Sequence, residues 1–229
     1  MGRLSPRDSF LGLCRITHMI DPSHFWIFLG AATLLAISPG PGMLYVLART
    51  LAGGRREGVL SSVGTFLGGL VHVVAAASGL SIVLATSAEA FSAVKYAGAA
   101  YLAYLGMRMI LSARQDNGTV LPVSSGMTGR SPFWQGVATE ALNPKTAIFF
   151  LAFIPQFVSR AQGGTFWQFL LLGTISVTLN TCADLVVIFL AAPIGARLRS
   201  SAVLRRRQRT ATGITLIGLG AYVAFADNR

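Results

Sequence analysis

An uncharged apolar run from Phe25 to Ala48 is long enough to cross a bilayer, which takes about 20 apolar residues. Its middle reads Ser38-Pro39-Gly40-Pro41-Gly42. A proline lacks an N–H and crowds the carbonyl four residues back, so Pro39 frees the oxygen of Leu35 and Pro41 that of Ile37. In hydrocarbon those oxygens need partners. A broken backbone at membrane depth is tolerated where it is buried in protein or lines a wet cavity, and in secondary transporters such breaks build substrate sites. The alternative is a packing kink, common in membrane helices.

The rest of the chain fits a membrane. Only 12% of its residues are charged and 53% are hydrophobic, against a charged share of about 25% in soluble domains. These totals indicate an all-α integral membrane protein. The net charge is +11, but Lys and Arg gather between apolar runs, where they set membrane orientation. Arg205, Arg206, Arg207 and Arg209 could touch nucleic acid, yet they lie between two predicted spans without interleaved aromatics. Cys14 and Cys182 fit neither a disulfide framework nor a zinc site, and no metal or cofactor is expected.

In chain order, residues 1–23 read as a disordered tail, with Met19 a candidate true start. A signal peptide is disfavoured because the following apolar run is too long for one and leads into a charged loop. Six spans are predicted, at about 25–48, 59–88, 90–111, 132–158, 166–192 and 210–226. A polar loop at Gly53-Gly54-Arg55-Arg56-Glu57 separates the first two, and a cytoplasmic loop occupies 113–131. Lys95 and Arg108 sit near the ends of the third span, where they can snorkel. Span four breaks at Asn143-Pro144-Lys145, where Pro144 leaves the carbonyl of Glu140 unpaired. Span five carries Ser176, Asn180 and Asp184 on one helical stripe.

The first and fourth spans share a proline break. Ala99-Ala100-Tyr101-Leu102-Ala103 in the third matches Gly220-Ala221-Tyr222-Val223-Ala224 in the sixth. Two three-helix units, 24–112 and 132–229, are the economical reading, against chance likeness among small-residue helices. An odd number of spans per unit inverts the second relative to the first. Twelve Lys and Arg fall in the loops after spans one, three and five, against six on the other side, or three if translation starts at Met19. Positive charge stays inside, so both termini should face out.

With that orientation the half-helices starting near Pro41 and Lys145 both begin near mid-bilayer. Helix N-termini offer unpaired N–H groups and partial positive charge. Pro39, Gly40, Pro41 and Gly42, with Asn143, Pro144 and Lys145, are therefore the candidate site for a substrate's carboxylate, with Lys145 adding charge. Asp184 is the candidate for proton coupling, since an ionisable group inside a span is costly to keep charged; a structural pair with Lys145 is the alternative. Glu140 could share the proton, contact the substrate's amino group or bridge to Lys145. His72 is a further candidate proton carrier, with a structural hydrogen bond as the commoner role. Phe149, Phe150, Phe153 and Tyr45 could wall a pocket, although lipid or helix contact is the usual fate of such rings.

Several stretches together resemble a known family. Ser38-Pro39-Gly40-Pro41 with Met43-Leu44-Tyr45-Val46, Gly54-Arg55-Arg56-Glu57-Gly58, Tyr96-Ala97-Gly98-Ala99-Ala100-Tyr101-Leu102, and Leu142-Asn143-Pro144-Lys145 with Pro155-Gln156-Phe157 are similar to the lysine-exporter (LysE/RhtB) family over residues 20–229. The resemblance implies a six-span protein of the bacterial inner membrane that exports amino acids or close derivatives, driven by protons. Many members have Asp or Asn where this chain has Gly42, so an acidic contact to a substrate ammonium is absent or moved. The partners implied are a small amino acid, protons and lipid, with a homo-oligomer open and nucleic acid excluded. A passive channel or a non-transporting scaffold is the rival reading. An intramembrane enzyme is disfavoured by the lack of a His/Glu pair at i, i+4 or of paired acids.

Overall fold

The computed structural model describes residues 22–86, 88–114, 131–159, 164–191 and 201–225. Helix α1 runs Pro22–Ile37, α2 Pro41–Thr86, α3 Ala88–Arg114, α4 Pro132–Ala141 and α5 Pro144–Ile148. A π turn, Phe149–Phe153, and a 3₁₀ turn, Ile154–Phe157, extend α5. Helix α6 is Thr165–Phe189 and α7 is Ala202–Phe225. No strand occurs among the described residues. Helices α1, α2, α4 and α5 each begin on a proline, at the position where its missing N–H costs nothing and its fixed φ suits the helix.

Most of the predicted tail, and the loop residues 115–130, lie outside the described residues. Pro22 and Ser23, assigned to the tail, are already helical. Between the first two spans the expected polar loop is a one-residue corner. Gly54 has φ 80° and ψ −177° inside α2, a combination essentially restricted to glycine. Arg49 pairs with Glu57 at 3.4 Å, and a Cβ on Gly58 would strike the Thr50 hydroxyl. Residues eight apart on a straight helix are about 12 Å apart. The chain therefore doubles back at Gly54, making two arms, 41–53 and 55–86.

Two described stretches, Pro41–Leu80 and Thr165–Phe189, are long and apolar enough to cross a membrane, and the pair Pro132–Ala141 and Pro144–Phe157, bent by 43°, is a third if it forms one span. The outward face is apolar: Ile37 is 65% exposed, Leu142 81% and Phe225 87%. Trp26, Trp134 and Trp167 stand exposed near the starts of α1, α4 and α6, as interface tryptophans do.

Inside, Phe28, Phe149, Phe150, Phe153 and Phe169 are fully buried. Phe149 stacks on Phe153 at 4.9 Å, and Phe153 lies 4.8 Å from Phe157. Helices α3 and α7 pack closely through glycines. A Cβ on Gly213 would lie 2.5 Å from the Gly106 carbonyl, and one on Gly220 2.7 Å from that of Ala99. Helix α7 starts eight residues before the predicted span because arginine is a good helix former. Arg209 donates to the Ser112 carbonyl at 3.3 Å, in the last turn of α3, where a cation opposes the helix dipole. Lys95, expected to snorkel, is instead buried, with its ammonium 5.5 Å from the Tyr96 ring centroid.

Candidate functional site

The two proline breaks meet. Helix α1 ends with the Ser38 N–H on the carbonyls of Leu34 and Leu35, at 3.1 and 3.2 Å. Across the break, the Lys145 ammonium donates to the Leu35 carbonyl at 3.0 Å and to that of Ser38 at 2.6 Å. The carbonyl that Pro39 deprives of its helical donor is thus taken by a cation from the other break, 110 residues away in sequence. Such charge-assisted bonds to a helix C-terminus are each worth about 1.5–3 kcal/mol.

The second break is supported in the same way. The Glu140 carbonyl accepts from the Asn143 N–H at 3.0 Å and from His72 Nε2 at 2.9 Å. A carbonyl can only accept, so His72 carries its proton on Nε2. Asn143 caps α5, its Oδ1 accepting from the Lys145 N–H at 3.1 Å.

The side chains of Glu140 and Asp184 lie nearby, both buried. Glu140 accepts from the Thr146 hydroxyl at 2.6 Å and from Asn143 Nδ2 at 3.1 Å. Its carboxylate also fills the space in which a Cβ on Gly42 would stand. Glycine at 42 is therefore what admits Glu140 to the start of α2. Asp184 Oδ2 lies 3.1 Å from the Thr65 hydroxyl, which is also 2.9 Å from the Ser62 carbonyl. One hydroxyl has one proton. With Asp184 ionised, Thr65 can donate to it; with Asp184 protonated, Asp184 donates to Thr65 and Thr65 donates to Ser62. Neither carboxylate forms an ion pair with Lys145, so neither alternative pairing is formed.

Two cavities adjoin the breaks. A polar one of about 40 Å³ is lined by Gly42, Thr65, Glu140, Asn180 and Asp184, among others. A larger one, about 770 Å³, is lined by Pro39, Pro41, Pro144, Tyr45, Leu105, Met109, Thr212 and Leu216, among others. Gly40, Asn143 and Lys145 line both. The structure thus brings together every predicted site residue except His72, which reaches the site through the Glu140 backbone. Ser176 turns back onto the Leu172 carbonyl of its own helix at 3.0 Å. Phe150 and Phe153 belong to the core, while Phe149 also lines the polar cavity and Tyr45 the larger one. Thr65, Leu105, Met109 and Thr212 escaped the sequence reading; Thr65 differs in no visible way from other small polar residues in apolar helices. No group of three or more His, Cys, Asp or Glu side chains placed to hold a metal occurs among the described residues.

The family model for LysE type translocators matches residues 33–227. An uncharacterised membrane protein of Pseudomonas aeruginosa is 34% identical, the match covering 88% of this chain and 92% of that protein. An uncharacterised membrane protein of Vibrio cholerae is 29% identical, over 89% of this chain and 98% of the relative. A leucine efflux protein of Salmonella choleraesuis is 25% identical, over 88% and 94%. No solved structure matches.

Proposed function

The chain belongs to the family of LysE type translocators, and from that premise we propose that it exports amino acids across the bacterial inner membrane in exchange for entering protons. The family and the leucine efflux protein among its relatives point to a transporter rather than an enzyme. The names of its relatives and the apolar helices make it a multi-pass membrane protein. The observation that carries the mechanism is Lys145 bridging the two breaks while lining both cavities.

Six crossings accommodate the fold: α1 with arm 41–53, arm 55–86, α3, α4 with α5 and its extension, α6 and α7. Helix α2 supports the division, because 46 residues would make a straight rod of about 70 Å, more than twice the hydrocarbon thickness of about 30 Å. An inverted 3+3 repeat is supported by Gly220 packing on Ala99. These are matched positions of the two similar segments, and equivalent residues touch where a two-fold axis passes. Both termini would then face out, and the loop over 113–131 would be cytoplasmic.

The substrate's carboxylate binds where Pro39 to Gly42 meet Asn143 to Lys145. Two of the three Lys145 ammonium hydrogens are engaged by carbonyls, and one remains to donate. Asp184 carries the coupling proton, with Thr65 turning between its two acceptors as that proton arrives and leaves. Glu140 is the second carboxylate of the relay, at the place where a side chain on residue 42 would otherwise project. His72 secures its backbone. Proteoliposomes loaded with labelled amino acids test the reading. Release that rises with an imposed pH gradient is the expected result; passive flux would indicate a channel, and no flux a scaffold.

A further inference from the structure

We propose that the substrate and the coupling proton occupy opposite sides of the wall formed by Gly40, Asn143 and Lys145, and that the large cavity holds the substrate's side chain and selects bulky, apolar, uncharged amino acids. This rests on the export reading above. Volume decides the placement. A water needs about 10–15 Å³ of cavity, so the polar cavity of about 40 Å³ has room for about three waters and none for an amino acid. The cavity of about 770 Å³ falls in the range of small-molecule sites, about 300–1,000 Å³. Both carboxylates, Glu140 and Asp184, line the small cavity and neither lines the large one.

The lining of the large cavity sets the side-chain class. Leu44, Tyr45, Leu105, Met109 and Leu216 give it apolar walls, and among the described residues no acidic one lines it and Lys145 is its one charged group. A cationic side chain would lose its water, meet no counter-charge and face a like charge, a penalty of at least about a hundredfold in affinity.

The test is gradient-driven release of labelled leucine, phenylalanine, alanine and lysine from proteoliposomes holding the full chain or two variants. The wild type should release leucine and phenylalanine at least about a hundredfold faster than lysine. Leu216→Trp fills the cavity and should slow both at least about tenfold while sparing alanine. Met109→Glu supplies the missing counter-charge and should raise lysine release at least about tenfold. As a gain of function, it cannot be mimicked by misfolding. Lysine released as fast as leucine by the wild type, or bulky substrates indifferent to Leu216→Trp with lysine indifferent to Met109→Glu, would overturn the inference and leave export standing. In the second case the cavity holds lipid. No gradient-dependent release of any of the four overturns export and this inference together.

Discussion

Lys145 has one task in the structure and a second in the proposed function. The sequence places it beside a helix break, where a cation suits an anion, and the structure uses it first to hold the carbonyls of Leu35 and Ser38. Lys145→Ala should therefore lower stability by about 1–3 kcal/mol, because the Ser38 carbonyl is left without a donor while that of Leu35 keeps the Ser38 N–H. A thermal melt of the purified protein reads that loss. Isothermal titration with amino acid at a temperature where the variant is folded reads the second role; unchanged affinity in both Lys145→Ala and Asn143→Ala would remove these residues from the substrate site. Thr65 offers a cleaner separation. Thr65→Val keeps the shape and removes the hydroxyl that serves Asp184, so gradient-driven exchange should fall at least about tenfold, the equivalent of one charge-assisted bond. Thr65→Ser should restore it. A Thr65→Val protein as active as the wild type would mean that the hydroxyl serves only its own helix.

At the scale of elements, prolines and glycines made the breaks legible and left their consequences hidden. Pro39 and Pro144 identify which carbonyls lose a partner because the rule is local. The replacements, Lys145 for Leu35 and His72 for Glu140, come from helices distant in sequence and depend on packing. Gly42 read as an acidic contact absent or moved; its lack of a side chain lets the Glu140 carboxylate take that space. The corner at Gly54 read as a loop because composition marks polarity, not geometry. Its φ and ψ demand glycine, and nothing stands within 4 Å of the place for a Cβ. Any loss in Gly54→Ala is therefore backbone strain, about 1–3 kcal/mol, and Gly54→Asn should be no better because its favoured left-handed region has a different ψ. Comparison of the two melting temperatures with the wild type checks this. Gly213→Leu should separate α3 from α7 and cost more than Gly54→Ala, since its neighbour is the Gly106 backbone, which cannot move aside.

For the whole molecule, the breaks matter because they come from two halves of the chain and meet at one place. In the proposed inverted arrangement the half-helices around the shared wall run in opposite directions, so that a small relative rocking of the halves would expose the wall to either side. The topology is independently testable: reporters fused after Arg229 should be active only outside the cytoplasm. The central claim is exchange of amino acid for proton through Asp184. Its most direct measurement is the pH change inside proteoliposomes as leucine flows down an imposed leucine gradient with no initial pH difference. The wild type should move protons opposite to leucine, and Asp184→Asn, folded and still binding leucine, should move none. Proton movement undiminished in Asp184→Asn would contradict the account.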